Sequence, residues 1–283
     1  MRTSPNVGIF RNVKLMLLKL GVVSEFIREL QSYEEYSFSL DELREKTNAP
    51  ESSIRKELNR LGKDKQILNL RKSFYLILPP RFQHYGKLPV ALYIDKLFKF
   101  LQKPYYVGYY SAASYHGAAH QQIQQDYVIT APPALRGISK ENVQIRFFSN
   151  TVWPKKNIVK RKSDTGYFNI SSPALTFADL IENQQYLGSL SRMMAILEEL
   201  TESLEENDIK DLLSWYSNKS VLQRMGFLIE EMSSNENIQS LLFESLNTAS
   251  FFPVLLSPDK DQKAGATGNR WKVDVNQIIE SDL

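Results

Sequence analysis

Apolar residues recur at helical spacing three times before residue 62. Val23, Phe26, Ile27 and Leu30 form one stripe, which predicts a helix running to about Glu35. Leu40, Leu43 and Thr47 share one face of a second helix. Ile54, Leu58 and Leu61, at i, i+4 and i+7, share one face of a third. Ser39 and Glu42 have the spacing of a capping box, so the second helix starts there. Asn48, with Glu51 three residues on and Pro50 in the first turn, predicts the start of the third. After Gly62 the period changes. Gln66 to Leu70 and Phe74 to Leu78 read as two β-runs around an Arg71-Lys72-Ser73 turn. Helix, turn, helix and basic hairpin, in that order, predict a winged helix-turn-helix, a module that reads DNA. Ahead of it, Asn12 to Leu20 reads as a short helix stopped by Gly21.

Pro79-Pro80 and then Pro89 interrupt both periods and set the expected domain boundary. Residues 1–88 form the winged domain and residues 89–283 the second domain. Within the second, residues 89–174 read as mixed α/β. Val90 to Leu101 predicts a helix with Leu92, Leu97, Phe98 and Leu101 toward a core. A short aromatic strand follows, then a helix of small residues from Ser111 to Ala119. Asp126–Thr130, Val143–Ser149, Asn157–Ser163 and Gly166–Ser171 read as strands, the last two around an Asp164-Thr165-Gly166 turn.

From Ser172-Pro173 the period is helical again. Helices are predicted over Leu175–Asn183, Lys219–Ser233 and Ile238–Leu246. Another carries Leu190, Met193, Met194, Leu197, Leu200 and Leu204, with Glu198, Glu199, Glu202, Glu205 and Glu206 on or near its other face. A polar loop over residues 257–269 leads to a closing strand, Arg270 to Asn276. The fold class is α+β: an N-terminal winged helix-turn-helix, then a mixed α/β domain with a helical C-terminal part over residues 175–283.

Charge divides this layout more sharply than the total of +3 suggests. Residues 1–88 carry +6, residues 89–174 carry +7 and residues 175–283 carry −10. A polyanion would therefore meet the first 174 residues; the plainer alternative is that charges balance across the fold. The chain has 283 residues, 42% hydrophobic and 24% charged, which suits a globular protein with room for two cores. It has no cysteine, so disulfides, thiol catalysis and cysteine zinc sites are excluded, and a cytoplasmic location is expected. Leu15 to Leu20 is apolar but broken by Lys19 and too short to span a bilayer, and no signal-peptide layout precedes it.

The third helix carries the candidate DNA contacts. At about 100° per residue, Ser52, Lys56, Asn59 and Lys63 lie opposite the apolar stripe. Ser53, Arg55 and Arg60 flank them. Such side chains donate to phosphates and base edges. Arg71 and Lys72 at the hairpin tip would reach a phosphate or a minor groove. Lys155, Lys156, Lys160, Arg161 and Lys162 form a second basic cluster, either a phosphate stripe or a solvated edge strand. Trp153 beside it reads as a packing residue.

Other chemistry finds little support. His116 and His120 are spaced i, i+4, but no further metal-ligand set accompanies them, so both read as structural. No G-x-S-x-G elbow and no glycine-rich phosphate loop occurs. Glu198-Glu199 and Glu230-Glu231 read as solvent-facing acids. Residues 89–174 hold only Asp95, Asp126, Glu141 and Asp164, too few acids for a metal-dependent nuclease centre. No enzyme activity, metal or cofactor is expected.

Several segments together resemble the AbiEi family, antitoxins of the AbiE, or type IV, toxin–antitoxin systems. They are Tyr110 to Gly117, the Ser172-Pro173, Thr176 and Asp179-Leu180 element, Gln223 to Glu230, and Arg270 to Asn276. The resemblance runs from about residue 23 to 276. It implies a winged domain that represses its own operon by binding inverted repeats in the promoter. It further implies a C-terminal domain that counters a nucleotidyltransferase-like toxin, directly or functionally, for phage defence. It implies no metal or cofactor. In some members the second domain's basic face also helps bind DNA. The residues alone leave open a transcriptional regulator with a ligand-sensing or dimerisation domain and no toxin partner.

Overall fold

The computed structural model describes residues 21–118, 124–248, 250–260 and 262–277. The helix expected over Asn12–Leu20 and the imidazole of His120 lie outside the described residues. Two compact units divide the chain. The first runs to Gln102 and takes in residues 138–144 and 162–168. The second holds residues 103–137, 145–161 and those from 169 onward.

The first unit opens with α1 (Val22–Ser32), β1 (Ser37–Ser39), α2 (Leu40–Thr47) and α3 (Glu51–Lys63). A hairpin follows, β2 (Ile67–Arg71) and β3 (Phe74–Ile77), and β1 joins it in a three-stranded sheet of order β1-β3-β2. The expected stripes face one core: Val23, Phe26, Ile27 and Leu30 of α1, Leu43 of α2, and Ile54, Leu58 and Leu61 of α3. Each such side chain taken from water contributes roughly 1.5–3 kcal/mol before entropy is counted. Ser39 and Glu42 form the expected capping box, Ser39 Oγ accepting from the Glu42 amide at 3.1 Å.

The start of α3 differs from expectation. Asn48 does not open it. Asn48 closes α2 in the left-handed conformation, at φ 46°, and Pro50 is the N-cap of α3. Asparagine tolerates that conformation. A proline also disfavours helical backbone in the residue before it, so the chain cannot turn helical until Pro50 is passed. β1 had no period to reveal it. The unit continues through α4 (Pro80–Gln83), a 3₁₀ turn (Val90–Leu92) and α5 (Ile94–Leu101). The single helix expected over residues 90–101 is thus split at Tyr93. Lys96 of α5 bridges Glu35 and Glu42 at 2.6 and 3.0 Å.

Further along lie β4 (Tyr105–Val107), α6 (Tyr109–Tyr115), β5 (Asp126–Thr130), β6 (Ile138–Lys140), β7 (Val143–Ser149), β8 (Ile158–Ser163) and β9 (Gly166–Ser171). These strands make a mixed sheet of order β6-β7-β5-β4-β9-β8. β4 runs antiparallel to β5 and parallel to β9, and β5 runs parallel to β7. The helical part comprises α7 (Pro173–Glu182), α8 (Gln184–Leu187), α9 (Leu190–Glu202), α10 (Glu206–Leu213), α11 (Lys219–Met232) and α12 (Glu236–Asn247). Glu205 and Glu206 are not on α9, as expected from sequence. They open α10, where acidic side chains favour the positive end of a helix. The closing strand is only β11 (Val273–Asp274), paired in parallel with β10 (Val254–Leu255).

α7 and α11 are buried on most sides, and the core of the second unit collects around them. The ring of Trp271 lies on Gly226 of α11, where an added Cβ would stand 2.1 Å from it. Mixed strand pairing with twelve α-helices among the described residues makes the fold α+β. No described helix is long and apolar enough to cross a membrane.

Candidate nucleic-acid interface

α3 is held by an acid within it. Glu57 accepts the amides of Val23 and Ser24, each at 3.0 Å, and the Ser24 hydroxyl at 2.7 Å. It therefore caps α1, whose own N-cap residue, Gly21, has no side chain to do so. An acid on the flank of one helix capping another has no signature in sequence, and Glu57 was not anticipated.

With α3 fixed this way, Ser52, Ser53, Arg55, Lys56, Asn59, Arg60 and Lys63 are all exposed. Among the described residues Lys56 and Lys63 form no ion pair, whereas Arg60 lies 3.5 Å from Glu57 and 3.9 Å from Asp64. Arg60 is thus partly neutralised and the centre of the face is not. On the N-terminal flank Arg44 of α2 holds Glu51 in a two-pronged contact and touches Asp41. The Arg44–Asp41 pair has i,i+3 helical spacing, whereas the Arg44–Glu51 contact spans a turn and follows no helical period.

The hairpin tip is unequal. Arg71 is the last residue of β2 rather than part of the turn. It is half-buried, and burial lowers its guanidinium pKa. Lys72 is exposed, and Ser73 takes φ 64° to close the turn. The pairing shifts register between Asn69 and Arg71.

The second basic cluster is exposed at Lys155, Lys156, Lys160, Arg161 and Lys162, the last three on β8, an edge strand. Two of the five are already engaged. Lys156 pairs with Asp211 at 2.5 Å, and the Arg161 guanidinium lies over the Tyr115 ring at 5.6 Å. Trp153 packs edge-on to Tyr106, as a core residue does.

The second unit also pairs polar groups in its interior. The Asp179 carboxyl, on buried α7, accepts the Tyr106 hydroxyl at 3.0 Å. Burial drives its pKa well above the usual carboxylate range, although the Tyr106 hydrogen bond opposes this. A lone acid in the apolar run around Ala178 and Leu180 was the available signal. Tyr109 opens α6 at φ 51°, a left-handed conformation costing a tyrosine about 1 kcal/mol or more. Asp208 accepts the Ala174 amide at the start of α7 and the Asn157 amide group. His116 meets the Ser171 carbonyl oxygen at 2.8 Å, and burial lowers its pKa, which favours the neutral ring. Glu198, Glu199 and Glu202 of α9 line a groove with His116. Glu230 does not simply face solvent: it accepts from Arg270 at 3.0 Å and from the Trp271 indole. Among the described residues no group of three or more metal-ligating side chains converges.

The crystal structure of the RV2827C protein from Mycobacterium tuberculosis has the same fold. Its TM-score is 0.61 at 14% identity, covering 88% of this chain and 89% of that one. An antigenic nucleotidyltransferase-like protein from Paracoccidioides brasiliensis reaches only 0.33 at 9% identity, over 53% of this chain and 88% of that one, too low to argue from. No curated protein matches the chain in sequence. Residues 106–231 match the AbiEi antitoxin C-terminal domain. The match holds three of the four quoted motifs, while Arg270–Asn276 lies beyond it. Over residues 106–231 the chain is thus similar to the AbiEi antitoxin C-terminal domain, in keeping with the resemblance carried by the sequence.

Proposed function

We propose that this chain is a DNA-binding antitoxin of an AbiE-like type IV system. In this reading the elements from α1 to β3 are a winged helix-turn-helix, α3 is its recognition helix and Lys72 marks the tip of its wing. It represses its own operon on inverted promoter repeats, two copies meeting the two half-sites. The second unit counters a nucleotidyltransferase-like toxin, directly or functionally. The family match over residues 106–231 supports the antitoxin half.

One observation carries the DNA half. α3 presents Ser52, Lys56, Asn59 and Lys63 to solvent on the face opposite its buried stripe, and neither lysine is neutralised by a described carboxylate. Asn59 suits an adenine edge, and the lysines suit guanine or phosphate. Fluorescence anisotropy with a duplex of the chain's own promoter tests this. Lys56→Ala with Lys63→Ala should weaken binding about tenfold or more and lower the salt slope by about two. Unchanged affinity and slope in the folded double variant would remove α3 from the interface.

A further inference from the structure

Arg44 has the geometry of a phosphate contact, but a carboxylate already fills it. Its Nε donates to Glu51 Oε2 at 3.1 Å and its Nη2 to Glu51 Oε1 at 2.9 Å. These are two parallel bonds to two oxygens of one acid, the same fork a guanidinium offers a phosphodiester. Nη1 reaches Asp41 Oδ1 at 3.1 Å. We infer that Arg44 is a phosphate-binding residue of the DNA interface, held closed in the free protein by Glu51, which a backbone phosphate displaces on binding. This rests on the reading of α3 as the recognition helix.

Three observations favour exchange over a fixed structural bridge. The Arg44 and Glu51 side chains are 44% and 48% exposed, so a ligand can reach both. An ion pair so exposed adds little to stability, and the fold survives its opening. Glu51 is also the first residue of α3, whose N-cap, Pro50, offers no side-chain acceptor. The anion-favouring end of α3 is therefore open beside the fork.

Position and charge agree. At about 100° per residue, Glu51 and Arg55 fall on one flank of α3, beside the face centred on Lys56. A phosphate contact belongs on that flank, with base contacts at the centre. The Arg44 hydrogen bond, helped by the charge of Arg55, holds the Glu51 carboxyl below its usual range, so it stays ionised and competes with phosphate. The other flank makes the contrast. Arg60 meets Glu57 and Asp64 only at 3.5 and 3.9 Å, one contact each, and is not forked. The consequence is restraint: a phosphate must displace Glu51 before Arg44 contributes, which weakens casual contact with any polyanion.

A thermodynamic cycle on the full chain decides this, using the promoter duplex in anisotropy titrations at several salt concentrations. Glu51→Gln should tighten binding about threefold to tenfold. Arg44→Ala alone should change Kd by less than about threefold, yet in the Glu51→Gln background it should abolish the gain. Arg44→Lys in that background keeps the charge without the fork and should retain only part of the gain. An equal gain from Glu51→Gln with and without Arg44 would make Glu51 a mere repelling charge and overturn the inference. So would no gain at all. Lys56→Ala runs in parallel: weakened binding there, with no Arg44–Glu51 coupling, sinks only the fork. Unchanged binding by Lys56→Ala sinks the recognition helix and the fork with it. Thermal unfolding of each variant checks that the fold is kept.

Discussion

The two units use polar residues in opposite directions. In the first, α3 buries one narrow stripe and sends Lys56, Asn59 and Lys63 outward, their donors uncommitted to any described acid. In the second, α7 and α11 are buried almost all round, and polar groups inside answer one another. Asp179 takes the Tyr106 hydroxyl, Asp208 takes the Asn157 amide, and Gln223 donates to the carbonyls of Phe252 and Trp271. The proposed contact of α3 with a polyanion would use these open donors. The buried pairs of the second unit matter because an unpaired buried polar group costs about 1–3 kcal/mol. The same contrast divides the two basic surfaces. The centre of α3 is open, whereas the cluster around β8 has Lys156 on Asp211 and Arg161 on Tyr115.

The sharpest way to break the inward half is Gly226→Ala. An added methyl meets the buried Trp271 ring, and Trp271 is fully enclosed. Urea unfolding should show a loss of about 3 kcal/mol, with promoter binding by the surviving folded protein unchanged. A near-neutral result would mean that the ring moves aside freely. Next is Glu57→Ala, which removes the cap of α1 and should cost about 2 kcal/mol. Because α3 loses its anchor, DNA affinity should fall as well, and thermal unfolding with anisotropy reads both.

Asp179 gives a pH-dependent test of intermediate size. Burial holds its carboxyl pKa well above the usual carboxylate range. Its contribution to stability is therefore greatest below the ordinary carboxylate pKa and is lost as pH rises through the folded pKa. Asparagine keeps an acceptor for Tyr106 and cannot ionise. The stability of Asp179→Asn relative to wild type should rise from pH 4 to pH 7. A pH-independent difference would show that Asp179 ionises without penalty. The smallest effect is expected at the second basic cluster. Lys155→Ala should change stability by less than about 0.5 kcal/mol, since the residue is exposed. Any loss of DNA affinity there would extend the interface beyond α3.

What the sequence revealed follows the same division. One-sided burial writes a period, so the stripes of α1, α2 and α3 and the strand Val143–Ser149 could be read directly. Short or sparsely apolar elements write none. β1 has three residues, and α10 buries only Ile209 and Leu212, so neither was anticipated. Asn-x-x-Glu from Asn48 imitates a capping box and so predicts a start of α3 there. The left-handed end of α2 and the restriction imposed by Pro50 decided otherwise. The charged face of α3 was legible as a set, but not which of its flanking cations were occupied. That depends on Glu51 and Glu57, which reach across to other helices.

The most direct measurement separates the two roles in one cell. The full chain carrying Lys56→Ala and Lys63→Ala is co-expressed with the product of the neighbouring gene, and growth is scored beside a reporter of the chain's promoter. On the proposed division of roles, growth rescue stays at the wild-type level while repression is lost. Loss of growth rescue together with repression, at unchanged protein level, would contradict it.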